Sequence, residues 1–318
     1  MDTIAAQKPI SGGARRRFTA RLIGGAARRA LDDAGLGRVL AVFQRSFYLE
    51  TTSGRLACLG AEGLGAGPLN LLCDLPGDWD WRARGLRPGV PVRRQGDRLE
   101  IGERVACTLS QATLWRPAAF PAGWKRAGLT EGLRTLADQA RAPEEGLGRL
   151  IPDLVNRSAA PTARPDESAV LARARPAAKQ LTAWLDAGDG RSGEAVSTDF
   201  VALLLGLGPG LTPSGDDFLG GAMIALAALG ETGRARRLAD LTLPLAARLT
   251  GKISVAHLAC AAEGEGAAAL HGALAVLARP EPGALGAALA AIDRIGHCSG
   301  WDGLAGAVAV LAWRAARH

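Results

Sequence analysis

The chain has 318 residues, 48% apolar and 22% charged, enough to bury a full core and to form two domains. Its formal charge of +7 rests on 38 basic residues, but only four are lysine (Lys8, Lys125, Lys179, Lys252), and aromatics make up 4%. Arginines spread along an Ala- and Gly-rich chain with so few stacking rings argue against a nucleic-acid surface, so no nucleic-acid partner is expected, the remaining minor reading being binding through the N-terminal arginines. The five cysteines, Cys58, Cys73, Cys107, Cys260 and Cys298, form no C-x-x-C pair and read as reduced thiols of a cytoplasmic protein. Met1 to Phe18 holds no apolar h-region, so no signal peptide is expected. The most apolar run, Phe200 to Leu207, is far shorter than the roughly 20 residues of a membrane span.

In chain order, residues 1–37 read as a basic arm, with Arg15-Arg16-Arg17 and Arg28-Arg29, and a short helix over Ala20–Ala34. Residues 38–116 carry short apolar runs: Val39–Phe43, Phe47–Glu50, Arg55–Leu59, Leu69–Cys73, Val90–Val92, Arg98–Ile101 and Val105–Leu109. Turn signals such as Thr52-Ser53-Gly54 and Pro76-Gly77-Asp78 separate them, which is the texture of strands in a small sheet or barrel. Gln95-Gly96-Asp97 reads as a tight hairpin. Residues 117–196 read as a helical connector, with helices at Gly132–Gln139 and Ser168–Leu185 flanking a Pro-rich stretch from Pro152 to Pro165. Residues 197–318 read as a helical domain, with helices over Thr198–Leu207, Asp216–Leu229, Thr232–Leu249, Ser254–Ala262, Gly266–Ala278, Ala284–Ile295 and Trp301–Arg317. Strands first and helices after give an α+β fold: a strand-rich sheet or small barrel followed by an alanine-rich C-terminal helical bundle.

Two segments whose serines lie 85 positions apart (299 − 214) fit Ser-Gly-x-Asp-x-Leu-x-Gly. They are Ser214-Gly215-Asp216-Asp217-Phe218-Leu219-Gly220-Gly221 and Ser299-Gly300-Trp301-Asp302-Gly303-Leu304-Ala305-Gly306. Each opens an Ala-rich run, the layout of a helix N-terminus, whose unpaired N–H groups and dipole attract anions. Ser214-x-x-Asp217 and Ser299-x-x-Asp302 both have the capping-box form, and Thr212 before Pro213 is a second candidate cap. Capping needs one carboxylate, which leaves Asp216 as the surplus group to bind Mg²⁺, orient an amide or act as a base. Gly208 and Gly210 suit a loop wrapped around a ligand. His297 can hold an anion or relay a proton, against the plainer reading of a C-cap histidine. Cys298 reads as a buried, inert thiol and Trp301 as a core or pocket-wall residue. Lys252, between the caps Thr250 and Ser254, either completes the anion site or is a solvated lysine at a turn. His257 and His271 have no ligand spacing, so they imply no zinc site.

The stretch from Gly206 to Gly221, with Gly296-His297-Cys298-Ser299-Gly300-Trp301-Asp302, resembles the AllH-type subunit family of oxamate carbamoyltransferase. The resemblance is densest from Thr198 to Trp313 and looser over Gly67-Pro68-Leu69-Asn70 and Trp115-Arg116-Pro117. Cys298 departs from the threonine expected there, which speaks further against a cysteine nucleophile. The resemblance implies carbamoyl transfer, oxalurate plus phosphate giving oxamate and carbamoyl phosphate, within purine-nitrogen (allantoin) catabolism, and it implies companion subunits. The Ser-Thr-Arg-Thr loop of ordinary carbamoyltransferases is absent.

The expected function is a subunit of a carbamoyl-transferring enzyme that binds a small anion at paired helix N-termini. Asp216, Asp217 and His297 are the catalytic candidates. The substrate-binding candidates are Gly208, Gly210, Thr212, Ser214, Gly215, Lys252, Ser299, Gly300 and Asp302. N–H groups at Gly215 and Gly300 would stabilise the developing charge. No cofactor is implied beyond Mg²⁺ as a candidate. The alternative is a non-catalytic anion-binding or regulatory subunit whose partner does the chemistry. Everything depends on whether the two helix starts meet in space.

Overall fold

The computed structural model describes residues 15–33, 37–157, 167–187 and 197–317. The first part of the basic arm and most of the Pro-rich stretch before Pro165 lie outside them. By internal contacts the chain divides into two units, Met1–Arg116 and Pro117–His318.

The first unit is a mixed β-barrel. Its strands are β1 (Arg16–Gly24), β2 (Gly37–Val42), β3 (Ser46–Thr51), β4 (Leu56–Ala61), β5 (Asn70–Cys73), β6 (Pro91–Gln95), β7 (Arg98–Ile101), β8 (Val105–Thr108) and β9 (Thr113–Trp115). They run in the order β5-β4-β3-β2-β6-β7-β8-β1, and β1 pairs back onto β5 to close an eight-stranded ring. β9 continues along β1 beyond the end of β8. Closure leaves no open edge within the ring. Alternate residues point inward: Leu99 and Ile101 of β7, Val105 and Cys107 of β8, Phe47 and Leu49 of β3 all join one core. Edge-to-face contacts of Trp81 with Phe18, Phe47 and Trp79 add to that core. The interior is therefore filled with side chains. The hairpin expected at Gln95-Gly96-Asp97 is present, with Gln95 paired to Arg98 and Gly96 at φ +61°.

The helix expected over Ala20–Ala34 begins late. Ala20 to Gly24 belong to β1, and the helix is α1 (Gly25–Asp32). A register shift between Ala20 and Leu22 breaks the two-residue alternation of β1, so its inward set of Phe18, Ala20 and Ile23 does not show a strand period. β9, three residues long, was also not expected.

The second unit is helical: α2 (Arg126–Gln139), α3 (Ile151–Asn156), α4 (Ala169–Ala187), α5 (Asp199–Leu204), α6 (Ser214–Ala228), α7 (Thr232–Leu249), α8 (Lys252–Ala262), α9 (Ala268–Ala278), α10 (Ala284–Ile292) and α11 (Ser299–Ala316). A short 3-10 helix, Leu147–Leu150, precedes α3, so the start of the expected Pro-rich connector is helical. At the centre lie α6 and α11, buried on almost every side, as helices apolar all round must be. Their backbones touch. A Cβ on Gly221 would fall 1.8 Å from the Gly303 carbonyl oxygen, and one on Gly306 would fall 1.8 Å from that of Phe218. Only glycine permits that approach. No helix among the described residues is long and apolar enough to cross a membrane.

Candidate functional site at the twin helix starts

The two Ser-Gly-x-Asp segments meet. The Thr212 and Ser299 hydroxyl oxygens are 3.1 Å apart, across the first turns of α6 and α11. The contact is reciprocal: the Ser299 hydroxyl hydrogen-bonds Asp217, and the Ser214 hydroxyl hydrogen-bonds Asp302. The backbone pairs Gly221–Gly303 and Phe218–Gly306 exchange in the same way when 85 is added to one member and subtracted from the other. Each loop also brings a positive-φ glycine against its own serine, six residues before Ser214 and three before Ser299. Gly208, at φ +112°, would place a Cβ 3.0 Å from the Ser214 hydroxyl, and Gly296, at φ +59°, would place one 3.3 Å from that of Ser299. The repeated sequence thus builds a local pseudo-twofold.

Capping does not take the expected form. α6 starts at Ser214 and α11 at Ser299, with Pro213 and Cys298 at the cap positions and no side-chain cap bond at either. The serines and aspartates bond across the pair of helices instead. The N–H groups offered to an anion are also engaged: Gly215 donates to the Leu207 carbonyl at 2.9 Å and Gly300 to that of Ile295 at 3.1 Å. They are therefore not free donors to a ligand, contrary to the expectation from the sequence. Both glycines are required by packing, because Cβ atoms there would strike the carbonyl oxygens of Leu204 and Ile292 at 2.0 and 2.2 Å.

Asp216, expected to be the surplus carboxylate, is the structural one. It is 1% exposed and accepts hydrogen bonds from the Gly206 N–H (2.8 Å) and from the hydroxyls of Thr250 and Ser254 (2.5 Å each). It ties the α5–α6 loop to the α7–α8 junction, with both of its oxygens engaged by protein donors. Thr250 and Ser254, expected as caps, are its partners; α8 is capped at Gly251 without a side-chain bond. Lys252 stands exposed between them at the first position of α8.

Asp217 is the group left over. Its Oδ2 is sealed from solvent and has no hydrogen-bond partner. Burial pushes its pKa well above the usual carboxylate range; the Ser299 and Thr212 hydroxyls pull the other way, and the charges of Asp302 and Asp216 add to the rise. Its counterpart Asp302 is also raised by burial, but Ser214 and the N–H groups of Leu147 and Gly148 offset this. The Leu147 N–H lies 2.5 Å from Asp302 Oδ1. The 3-10 helix supplies donors on the Asp302 side, and Asp217 has no such supply.

His297 and Gly210 are exposed, and Gly208, Thr212 and Ser299 are half-buried, so these residues form the outer face of the junction. His297 Nε2 is 3.3 Å from Glu145 Oε2. Cys298 is half-buried rather than buried, and burial, with the charges of Asp302 and Glu145, lifts its thiol to about 11, which disarms it as a nucleophile. Trp301 is in the core, its indole N–H donating to Asp293 at 2.5 Å. His271 accepts the Gly266 N–H, and burial holds His257 down to about 4. The partners Thr250, Ser254, Leu147 and Gly148 escaped sequence reasoning in their roles; the one local signal was Thr250 and Ser254 bracketing a helix junction.

Residues 204–311, which hold both helix starts, match the family described as oxamate carbamoyltransferase subunit AllH, and residues 14–114 match the AllH family N-terminal domain. The chain belongs to the AllH family. The two matches fall separately on the barrel and on the helical unit of this AllH chain. The family description, as a subunit, implies companion subunits in a complex. No curated protein and no solved structure matches the chain.

Proposed function

We propose that this chain is a working subunit of an oxamate carbamoyltransferase, binding its small anionic substrate at the outer face of the twin helix starts, with Asp217 as the reacting carboxyl. The reaction is transfer of the carbamoyl group between oxalurate and phosphate in cytoplasmic purine-nitrogen breakdown, carried out with companion subunits. Phosphate oxygen attacks the carbamoyl carbon, the bond from that carbon to the oxamate nitrogen breaks, and the nitrogen takes up a proton as the phosphate gives one up. Charge builds on the carbamoyl oxygen. A carboxyl kept neutral by burial donates a hydrogen bond to such an oxygen, and a preorganised donor of this kind is worth about 10²–10³ in rate. The Thr212 and Ser299 hydroxyls hold that carboxyl in place, and His297 lies at the rim for the leaving group.

One observation carries this reading: Asp217 Oδ2 is an unpartnered carboxyl oxygen at the junction, which a substrate reaches only when the side chains over it move aside, while the equivalent Asp302 is satisfied by backbone donors. The test is the rate of Asp217 variants in the assembled enzyme. Asp217→Ala should lower kcat by about 10²–10³-fold. Asp217→Asn, which keeps an N–H donor in place, should retain more than Asp217→Ala. Equal wild-type rates in both variants would remove the proposal.

The engaged N–H groups of Gly215 and Gly300 favour a second reading, in which this chain binds the anion and a partner supplies the oxyanion donors. In that case Asp217→Ala raises KM and leaves kcat unchanged.

A further inference from the structure

On the outer side of the helix starts, three side chains of different donor chemistry converge from two loops. A carboxylate oxygen of Glu145, an imidazole nitrogen of His297 and the Cys298 sulfur all lie within 4.8 Å of one another. We propose that Glu145, His297 and Cys298 form a binding site for a borderline divalent metal ion of the Zn²⁺ class, with one coordination position left open.

Bond lengths of about 2.0–2.3 Å in a tetrahedral zinc site place neighbouring donor atoms about 3.3–3.8 Å apart. His297 Nε2 and Glu145 Oε2 already stand at 3.3 Å. Glu145 and His297 are exposed, so small side-chain rotations bring the remaining distances into range and an ion enters directly from solvent. A mixed O, N, S donor set selects zinc-like ions over Mg²⁺ or Ca²⁺, which require oxygen. Three protein ligands are the number found in zinc sites that keep a place for water or a substrate oxygen.

The two loops are locked together beneath the ligands. Gly146 lies so near Cys298 and Asp302 that a Cβ would fall 2.9 Å from Cys298 Cβ and 2.6 Å from Asp302 Oδ1. The next N–H, that of Leu147, is bonded to Asp302. Glu145 is thus held over the residues that begin α11, and the ligand backbone is set before any ion arrives. Coordination exchanges the Cys298 thiol proton for the ion and releases that proton to solvent.

The cluster shares His297 with the proposed substrate rim but not Asp217, and metal binding is read on the full chain alone, so its failure would leave the Asp217 proposal standing. The test is titration of the reduced protein with Co²⁺, followed by competition with Zn²⁺. One equivalent of Co²⁺ should bind and give a thiolate-to-cobalt charge-transfer band in the near ultraviolet, which Zn²⁺ abolishes. The other four cysteines are buried, so the band reports Cys298. Cys298→Ala should remove the band, and His297→Ala and Glu145→Gln should each weaken binding tenfold or more, with unchanged circular dichroism. Absence of the band, or full binding by Cys298→Ala, would overturn the site and leave an exposed Glu–His ion pair.

Discussion

At the start of α11, Asp302 is 1% exposed and takes N–H bonds from the 3-10 helix at Leu147. At the start of α6, the equivalent Asp217 has an oxygen that is equally cut off from water and has no donor. The two positions share a sequence pattern, a cross-bonded serine and a glycine contact to the opposite backbone. They differ in what a distant segment supplies. A repeated motif can therefore be fully satisfied at one copy and leave an unpartnered group at the other, and it is the unsatisfied copy that we propose to be functional.

The neighbouring pair Asp216 and Asp217 sharpens the contrast, because adjacent carboxylates have opposite surroundings, one fully bonded and one with an unpartnered oxygen. The largest effect on stability is expected from Asp216→Ala. It strands the Gly206 N–H and the Thr250 and Ser254 hydroxyls in a buried site, and should cost about 3–5 kcal/mol in urea unfolding. A loss below about 1 kcal/mol would mean that Asp216 does not hold these segments together.

Next comes the pseudo-twofold contact. Gly306→Ala or Gly221→Ala drives a methyl group into a carbonyl oxygen, and each should cost about 1–3 kcal/mol or more by the same measurement. The two losses should be alike, since the contacts are equivalent; a large inequality would break the symmetry argument.

The smallest effect has the opposite sign. Asp217 keeps its proton in the folded chain at pH values where the unfolded chain has lost it, because burial raises its pKa above the ordinary 3.8. Between 3.8 and the raised value the folded state holds the extra proton, so this carboxyl makes stability fall as pH rises. Asp217→Asn removes that penalty and should raise the thermal midpoint at neutral pH, with the gain vanishing below about pH 3.8. A lowered midpoint at pH 7 would show that Asp217 stabilises the fold.

Much of the fold was legible in the sequence because it is written locally. Each apolar run from Val39 to Leu109 carries its own turn signals, and the expected Thr232–Leu249 coincides with α7. β1 was not legible, because a bulge disturbs its alternation and its pairing partners β5 and β8 lie far along the chain. The site was half legible. The twin motifs named two segments that do meet, but the difference in surroundings between Asp216 and Asp217 is set by Thr250 and Ser254, 34 and 38 residues further on (250 − 216 and 254 − 216). The difference between Asp217 and Asp302 is set by Leu147, 155 residues before Asp302. The cluster proposed as a metal site likewise joins Glu145 to His297 and Cys298, a spacing that no local motif encodes.

The central claim is that Asp217 acts as a neutral hydrogen-bond donor, and the pH dependence of kcat in the assembled enzyme tests it most directly. The wild type should lose rate as pH rises through the raised pKa of Asp217, and Asp217→Asn, which has no proton to lose, should lack that alkaline fall. A wild-type rate that instead climbs with pH through the same group, with Asp217→Asn inactive throughout, would make Asp217 a base and contradict the account.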